Sequence, residues 1–328
     1  MSVTLKEVAE LAGVSTASVS RAFTDGASVS ASMRARVRAA AKELGYLPNA
    51  LASGLTTGRT KLIGLVADNF HNPIFLEVFD RFTRGLQGRG LRPLIVNLTD
   101  ETDPATSVTL LRQYSVDGVI VASSTLPPTF ARAFRDAGLP VVHTFGRRSA
   151  DTAVDIIGID NIACGALAAE TLVHRGYRRI AFLGGPERAT STQDRLTGFL
   201  RASKGAAAVS HSFARAYSFE AGHEEMARCL ATGLAEAYFC GDDVLSIGAI
   251  AAVRQAGLQV PEDVGVIGLN DMEMAGWSTI DLTTIRQPVG PIIDASIARI
   301  IALLQDPSAR PEVLTLPCHL VERGTLRR

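Results

Sequence analysis

From Lys61 onward a single pattern recurs: a short apolar run, a stretch with helical spacing, and another apolar run. The apolar runs are LIGLVAD, PLIVNL, DGVIVAS, PVVHTF, IIGID, RRIAFLGG, AEAYFCGD and GVIGLN, with helical stretches starting near Ile74, Pro104 and Asn161 among them. A strand buried on both faces carries no polar alternation, so such runs alternating with helices read as parallel sheets wrapped on both sides. There is no short repeat, but the alternation falls into two similar halves, about 61–159 and about 160–287, each the size of a doubly wound domain. The last helix and strands, Val289 to Val321, must return to one or both halves.

Composition narrows the class. The chain has 328 residues, 47% of them hydrophobic, with 33 basic against 33 acidic residues, which excludes disorder, collagen and coiled coil. Cys164, Cys229, Cys240 and Cys318 form neither a CxxC pair nor a disulfide framework, which fits a reducing cytoplasm. Lys6, Glu7 and Glu10 interrupt the N-terminal apolar residues, so no secretory signal is expected. No run of apolar residues is long enough for a membrane span, so no membrane partner is expected. The balanced charge hides an asymmetry: residues 1–61 carry eight basic and four acidic groups, or +4, and the remainder carries −4. A basic head on a mildly acidic body makes nucleic acid the first candidate partner.

The head has its own local grammar. Thr4 followed by Glu7 has the spacing of a capping box, so a first helix begins near Leu5, with Leu5, Val8, Ala9 and Leu11 as its apolar face and Gly13 ending it. Ser15 or Thr16 can cap a second helix to Phe23, whose Val19 and Phe23 face the first and whose other face is Thr16, Ala17, Ser18 and Arg21. Two short helices joined by a tight glycine-containing turn form a helix-turn-helix signature. A third helix, Ser30 to Leu44, buries Met33, Val37, Ala41 and Leu44, and Gly45 stops it. Arg34, Arg38 and Lys42 share a row four apart, which reads equally as a solvated face or as part of a nucleic-acid surface.

The run from Val3 to Leu55 resembles the DNA-binding headpiece of the lactose-repressor family of bacterial transcription regulators. LKEVAELAGVS, the following VSRAF and the closing ELGYLPNALASGL carry the resemblance. It implies a headpiece over 1–48 that docks in the major groove of operator DNA, with Thr4, Ser15, Thr16, Ala17, Ser18, Ser20 and Arg21 at or near the duplex. Arg21 is expected to read a guanine, because its fork can pair with two acceptors at once. Thr16 and Ala17 are small, which favours thymine-methyl or water-mediated contacts. Residues 49–60 would be the hinge helix and linker, folding against a two-fold mate in the minor groove. There Asn49 and Ala52 approach the DNA and Leu55 wedges between base pairs. Ser53 and Gly54 depart from the family pattern, and Gly54 lowers helix propensity by about 1 kcal/mol relative to Ala. A flexible linker through Thr57, Gly58 and Arg59 is the alternative for the free state.

The body is similar to the periplasmic-binding-protein-like effector domain of the same family. It is expected over 61–328, one lobe being about 61–159 plus 289–317 and the other about 160–287 plus 318–328. The expected fold class is therefore a small all-α helix-turn-helix headpiece plus an α/β domain of two doubly wound parallel-sheet lobes. Ligands of open α/β sheets bind outside the carboxyl ends of strands, which places an effector between the lobes.

Family positions map onto Ile74 and Phe75 in HNPIF, Arg147 in FGR, Asn161 in GIDN, Ser191 and Arg195 in GGPERATSTQDRLTGF, Tyr217, Asp242 in FCGDD, Asn270 in GLND, and Gln287 in TTIRQP. Phe75 reads equally well as core, and Asp160 as a helix cap. Arg195 can aim two donors into the cleft or pair with Asp194 or Glu187. Asp242 stands where relatives usually have Asn, and Asn270 where many sugar-binding relatives have Asp. The implied effector is a hydroxyl-rich small molecule (sugar, polyol or sugar acid), and Tyr217 leaves a purine open.

Enzyme and transport readings have little support. The six histidines include no HExxH or paired metal spacing, and neither GxGxxG nor GKS/T is present, so no metal or cofactor is expected. A phosphate cradle at GGPERATS competes with a structural strand-to-helix turn. A solute-binding protein of a transport system would share the body but has no use for residues 1–55. The chain ends at Arg328 without a leucine-heptad tail, which favours a homodimer over a tetramer. The expected protein is a dimeric, effector-responsive repressor.

Overall fold

The structure is a computed structural model and describes residues 3–24, 27–47, 58–68, 70–98, 103–148 and 153–328. The chain divides into two compact units, residues 1–61 and 62–328. Asn49, Ala52, Ser53, Gly54 and Leu55 lie outside the described residues.

The first unit holds α1 (Leu5–Ala12), α2 (Thr16–Phe23) and α3 (Ala31–Leu44). Both arms of the capping box form: the Thr4 backbone N–H donates to Glu7 Oε2 at 2.6 Å, and the Glu7 N–H donates to Thr4 Oγ1 at 3.4 Å. The Thr4 N–H and the Thr4 hydroxyl, which donates to the same Oε2 at 2.7 Å, hold the Glu7 carboxyl below its ordinary range, the backbone donor contributing most. Gly13 closes α1 at φ 62°, a left-handed conformation that costs glycine little, and Ser15 and Ser30 cap the next two helices. The core is built from small side chains, Val8, Ala9, Ala12, Val19, Ala22, Val37, Ala40 and Ala41, with Phe23, Met33, Leu44 and Tyr46 half-buried against it. Leu11, expected on the apolar face, is 47% exposed, and Ala12 is buried in its place, four residues after Val8.

The second unit begins with β1 (Leu62–Ala67), α4 (Ile74–Gln87), β2 (Arg92–Asn97), α5 (Pro104–Gln113), β3 (Gly118–Ala122), α6 (Pro128–Asp136), β4 (Val141–Thr144) and β5 (Asp155–Ile159). It continues through α7 (Asn161–His174), β6 (Arg179–Gly184), α8 (Thr190–Ser203), β7 (Ala208–Phe213), α9 (Phe219–Thr232), β8 (Ala237–Cys240), α10 (Asp243–Gln255) and β9 (Gly265–Asn270). A 3-10 turn (Glu273–Gly276) precedes β10 (Thr284–Arg286), α11 (Val289–Gln305), β11 (Val313–Leu316) and β12 (His319–Val321).

These strands form two six-stranded sheets, ordered β11-β5-β4-β3-β1-β2 and β12-β10-β9-β8-β6-β7. The first is parallel throughout; the second is parallel except that β12 runs antiparallel to β10 at its edge. Each sheet carries an apolar cluster on either face, which is why its inner strands read as unbroken apolar runs, β10 with its Thr-Ile-Arg excepted. The edge strand β7 was not among the expected runs: AVSHSF is polar and half-exposed, and only its pairing with β6 reveals it. The chain passes between lobes at Asp160, at 287–288 and between β11 and β12, so α11 packs in the first lobe against α4.

Glycine sets the closest helix contacts of the second lobe. A Cβ on Gly165 of α7 would fall 2.0 Å from the Arg195 carbonyl oxygen, and one on Gly198 of α8 would fall 1.9 Å from that of Ile162. The α7 and α8 backbones therefore touch, which fixes the base from which Arg195 projects.

Candidate functional site

The loops after the carboxyl ends of the strands converge on a cavity between the two sheets. From the first lobe come Asn72, Ile74 and Phe75 after β1, Ser124 after β3, Phe145 after β4 and Ile159 at the end of β5. The second contributes Asn161, Arg195, Tyr217, Asp242 and Asn270, and Gln287 sits on the return crossover. This is the position an open α/β sheet gives to a ligand.

A chain of amides and one carboxylate forms the polar wall. Asp242 Oδ2 accepts from Asn72 Nδ2 and from Asn270 Nδ2, each at 2.8 Å, while its Oδ1 accepts the Val244 N–H at 2.7 Å and caps α10. Asn270 Oδ1 in turn accepts from Gln287 Nε2 at 2.6 Å. Burial pushes the Asp242 carboxyl above its ordinary range, against the pull of these donors and of Arg195. The neighbouring Asp243 faces away, accepting from Thr284 Oγ1 at 2.5 Å and the Met272 N–H at 2.8 Å; burial pushes it up to about 7.

Arg195 supplies the cationic wall. Its Nε donates to Asn161 Oδ1 at 2.8 Å and its Nη1 to the Gly241 carbonyl at 2.6 Å, so the guanidinium is held from both sides while lining the cavity. It pairs with neither Asp194 nor Glu187; Arg147 takes Asp194 instead, in an ion pair between the lobes. Tyr217 lies over Gly185, where any Cβ would come within 2.4 Å of the ring, and its hydroxyl is tied to Thr192 Oγ1 at 2.7 Å. Phe75 and Phe145 supply the apolar surface of the first lobe, so Phe75 belongs to both core and cavity wall.

Of the ten residues expected at the effector site, eight line this cavity: Ile74, Phe75, Asn161, Arg195, Tyr217, Asp242, Asn270 and Gln287. Ser191 is buried but outside the lining, its N–H donating to the Ser124 carbonyl at 3.2 Å. Arg147 also lies outside it, committed to Asp194. Asp160 caps α7 by accepting the Ala163 N–H at 2.9 Å. Asn72, Val78, Ser124, Phe145 and Ile159 line the cavity without having been expected there; all but Val78, one turn into α4, closely follow or end an apolar run, where the strand-end rule could have found them. Among the described residues no group of three His, Cys, Asp or Glu side chains is placed to hold a metal ion.

Among the described residues, three polar contacts bridge the lobes around the cavity: Asn72 to Asp242, Arg147 to Asp194, and the start of α8 on the loop after β3, where Thr190 Oγ1 donates to the Ser124 carbonyl at 2.9 Å. Behind that loop the buried His143 Nε2 donates to the Ser123 carbonyl at 3.1 Å, and desolvation lowers its pKa to about 4, so the ring is neutral.

In the first unit, Thr4, Ser15, Thr16, Ala17 and Arg21 are exposed, and Ser18 and Ser20 are half-buried. Ser15 Oγ accepts the Ser18 N–H at 3.1 Å and is thus occupied in capping α2. Arg21 folds back along its helix, Nε donating to the Ala17 carbonyl at 3.3 Å, so it shares a face with Ala17. Arg34 is not part of a solvated row: its guanidinium donates to the carbonyls of Ala22 at 2.8 Å and Ala27 at 3.1 Å, fastening α3 to the end of α2.

Comparison with known proteins agrees in both units. Residues 4–49 match the model of the lacI family of bacterial regulatory proteins, and residues 169–326 match a periplasmic binding protein-like domain. The chain is 33% identical to the ribose operon repressor of Escherichia coli (strain K12), over 98% of this chain and 99% of that one. It is 32% identical to the HTH-type transcriptional repressor PurR of Pectobacterium carotovorum, over 98% and 96%. The structure matches the lac repressor dimer bound to operator and the anti-inducer ONPF with TM-score 0.88, 28% identity and 99% coverage of each chain. These relatives are repressors, not enzymes, and the enzyme and transport readings fall away. The chain belongs to the lacI family of bacterial regulatory proteins, transcription regulators that join a DNA-binding headpiece to an effector-binding domain.

Proposed function

We propose that this protein is a cytoplasmic, homodimeric transcriptional repressor whose effector is a monosaccharide-sized, hydroxyl-rich molecule held between the two lobes. The observation that carries the effector class is the wall formed by Asn72, Asp242, Asn270 and Gln287. Planar amides and a carboxylate, already bonded to one another, present a row of acceptors and donors that adjacent hydroxyls can enter by exchanging partners. Arg195 lines the same space, and Phe75, Phe145 and Tyr217 add aromatic surface suited to the apolar side of a sugar. The relative named for a ribose operon supports a pentose as the first ligand to try.

The proposed headpiece reads operator half-sites with Arg21, Thr16 and Ala17, phosphate contacts supplying much of the affinity. Asn49, Ala52 and Leu55 serve the minor groove. Because the three bridging contacts join groups on opposite lobes, a ligand that replaces the Asn72–Asp242 bond changes the preferred lobe orientation. Coupling of this kind is typically about 1–3 kcal/mol and reciprocal.

The test is thermal-shift screening of pentoses, hexoses, polyols, sugar acids and nucleobases on the full-length protein. A ligand of the native state raises apparent stability by mass action. A sugar or polyol that stabilises wild-type protein but not Asp242→Ala supports the reading. Stabilisation by a nucleobase alone would replace it with a purine effector, the alternative that the PurR relative brings.

A further inference from the structure

Two of the four cysteines meet where the lobes are joined. The chain enters the second lobe at Asp160, just before α7, and again between β11 and β12, where Cys318 stands. These two crossovers run side by side, because β11 pairs in parallel with β5 and sets Leu316 beside Ile159. Cys164, in the first turn of α7, and Cys318 therefore pack into one apolar cluster with Ile159 and Leu196, where their thiols come close enough to perturb each other. Cys164 is buried, Cys318 is half-buried, and both are free thiols.

The contact makes the two sulfurs unlike. The approach of Cys164, aided by the nearby Arg195 guanidinium, holds the Cys318 thiol below its ordinary range despite partial burial. That same approach, together with burial, pushes Cys164 up. Cys229 hydrogen-bonds Ser212 instead, and burial raises both Cys229 and Cys240. A half-buried thiol with enhanced thiolate character beside a second, protected thiol is the arrangement of an attacking and a resolving cysteine.

We propose that Cys164 and Cys318 form an oxidation site for hydroperoxides, and that their disulfide ties together two of the three crossovers between the lobes. The Cys318 thiolate attacks a peroxide oxygen: an S–O bond forms, the O–O bond breaks, and the expelled hydroxide takes up a proton as water. The Cys164 sulfur then attacks the sulfenic sulfur; the S–S bond forms, the S–O bond breaks, and the departing hydroxide leaves as water with the Cys164 proton. Two thiols are oxidised by two electrons while one hydrogen peroxide is reduced to two waters. The cross-link fastens the start of α7 to the β11–β12 crossover beside Arg195, restraining the pivot on which lobe reorientation depends.

The test treats full-length protein with hydrogen peroxide, maps peptides without reduction, and follows amide exchange over residues 158–165 and 315–320. The expected result is an intrachain Cys164–Cys318 peptide that dithiothreitol reverses, with exchange in both segments slowed on the order of tenfold. The cross-link persists in Cys229→Ser and is absent from Cys318→Ser, a half-buried position whose variant remains informative should Cys164→Ser fail to fold. Unreacted thiols, overoxidation of Cys318 without a cross-link, a disulfide through another cysteine or a second chain, or a cross-link that leaves exchange unchanged would each overturn the proposal.

Discussion

Asn72 and Asp242 are 170 positions apart in the chain, yet Asn72 Nδ2 donates to Asp242 Oδ2 at 2.8 Å across the cleft between the lobes. Both side chains are buried, so the bond joins the lobes at the floor of the proposed effector site rather than at its rim. Asn72→Asp would set two carboxylates against each other there. The expected cost is about 1–3 kcal/mol at pH 7, shrinking toward pH 5 as one shared proton restores the hydrogen bond. Urea unfolding at the two pH values measures it, and an equal loss at both would remove this pair from the lobe contact.

Gly165→Ala adds one methyl at a place where the Arg195 carbonyl oxygen stands 2.0 Å from the new carbon. Because that neighbour is backbone, α7 and α8 must separate. Destabilisation of about 1–3 kcal/mol follows from overpacking. Gly276→Ala, whose new carbon would meet only the end of the Arg323 side chain at 3.6 Å, serves as the control and should be nearly neutral in the same unfolding experiment.

His143 should govern part of the acid response. Its folded pKa is about 4, lowered by burial from 6.5, so the unfolded chain takes up a proton between those values while the folded protein does not. Stability should fall as pH drops from 6.5 to 4, by up to about 3 kcal/mol from this group alone. Asp243 works the other way, since its raised value of about 7 makes stability fall as pH rises from 4 to 7. Unfolding free energies measured from pH 4 to 8 should therefore lose their acid-side fall in His143→Gln and their opposing slope in Asp243→Asn. Unaltered pH profiles in both would contradict the assignments.

Arg34→Met should loosen the proposed recognition helix without touching DNA-facing residues. The carbonyls of Ala22 and Ala27 each lose a charged donor, worth about 1–3 kcal/mol together. Faster amide exchange in α2 of the full-length variant is the expected readout. Arg38→Met, at an exposed position, should leave α2 exchange unchanged.

Local rules carried most of what could be read in advance. Thr4 with Glu7, Gly13, Ser15 and Gly45 act through neighbours within one turn, and each stands at the helix end that its side chain or backbone freedom suits. The inner strands were legible because burial on both faces forces apolar runs; β7 was not, because an edge strand tolerates Ser, His and Ser. Arg147 marks a different limit. Whether an arginine meets a ligand or a carboxylate depends on what the opposite lobe presents, and nothing near Arg147 in sequence announces Asp194. Gly165 and Gly198 likewise matter only because two helices meet at those two points. Asn72 stood in plain view inside HNPIF, but its partner Asp242 belongs to the other lobe.

The most direct measurement is DNA affinity by fluorescence anisotropy. It would use an operator selected in vitro from a random duplex pool, with and without the sugar or polyol that best stabilises the protein, on wild type and Arg195→Ala. Arg195 holds Asn161 and the Gly241 carbonyl in the second lobe, and belongs to a different compact unit from the headpiece. The expected result is a ligand-dependent change of roughly 5- to 150-fold in wild type. In Arg195→Ala that change should be lost while affinity for the duplex without ligand is retained. An operator affinity that no stabilising ligand alters, or an undiminished response in Arg195→Ala, would contradict an effector site built around this arginine.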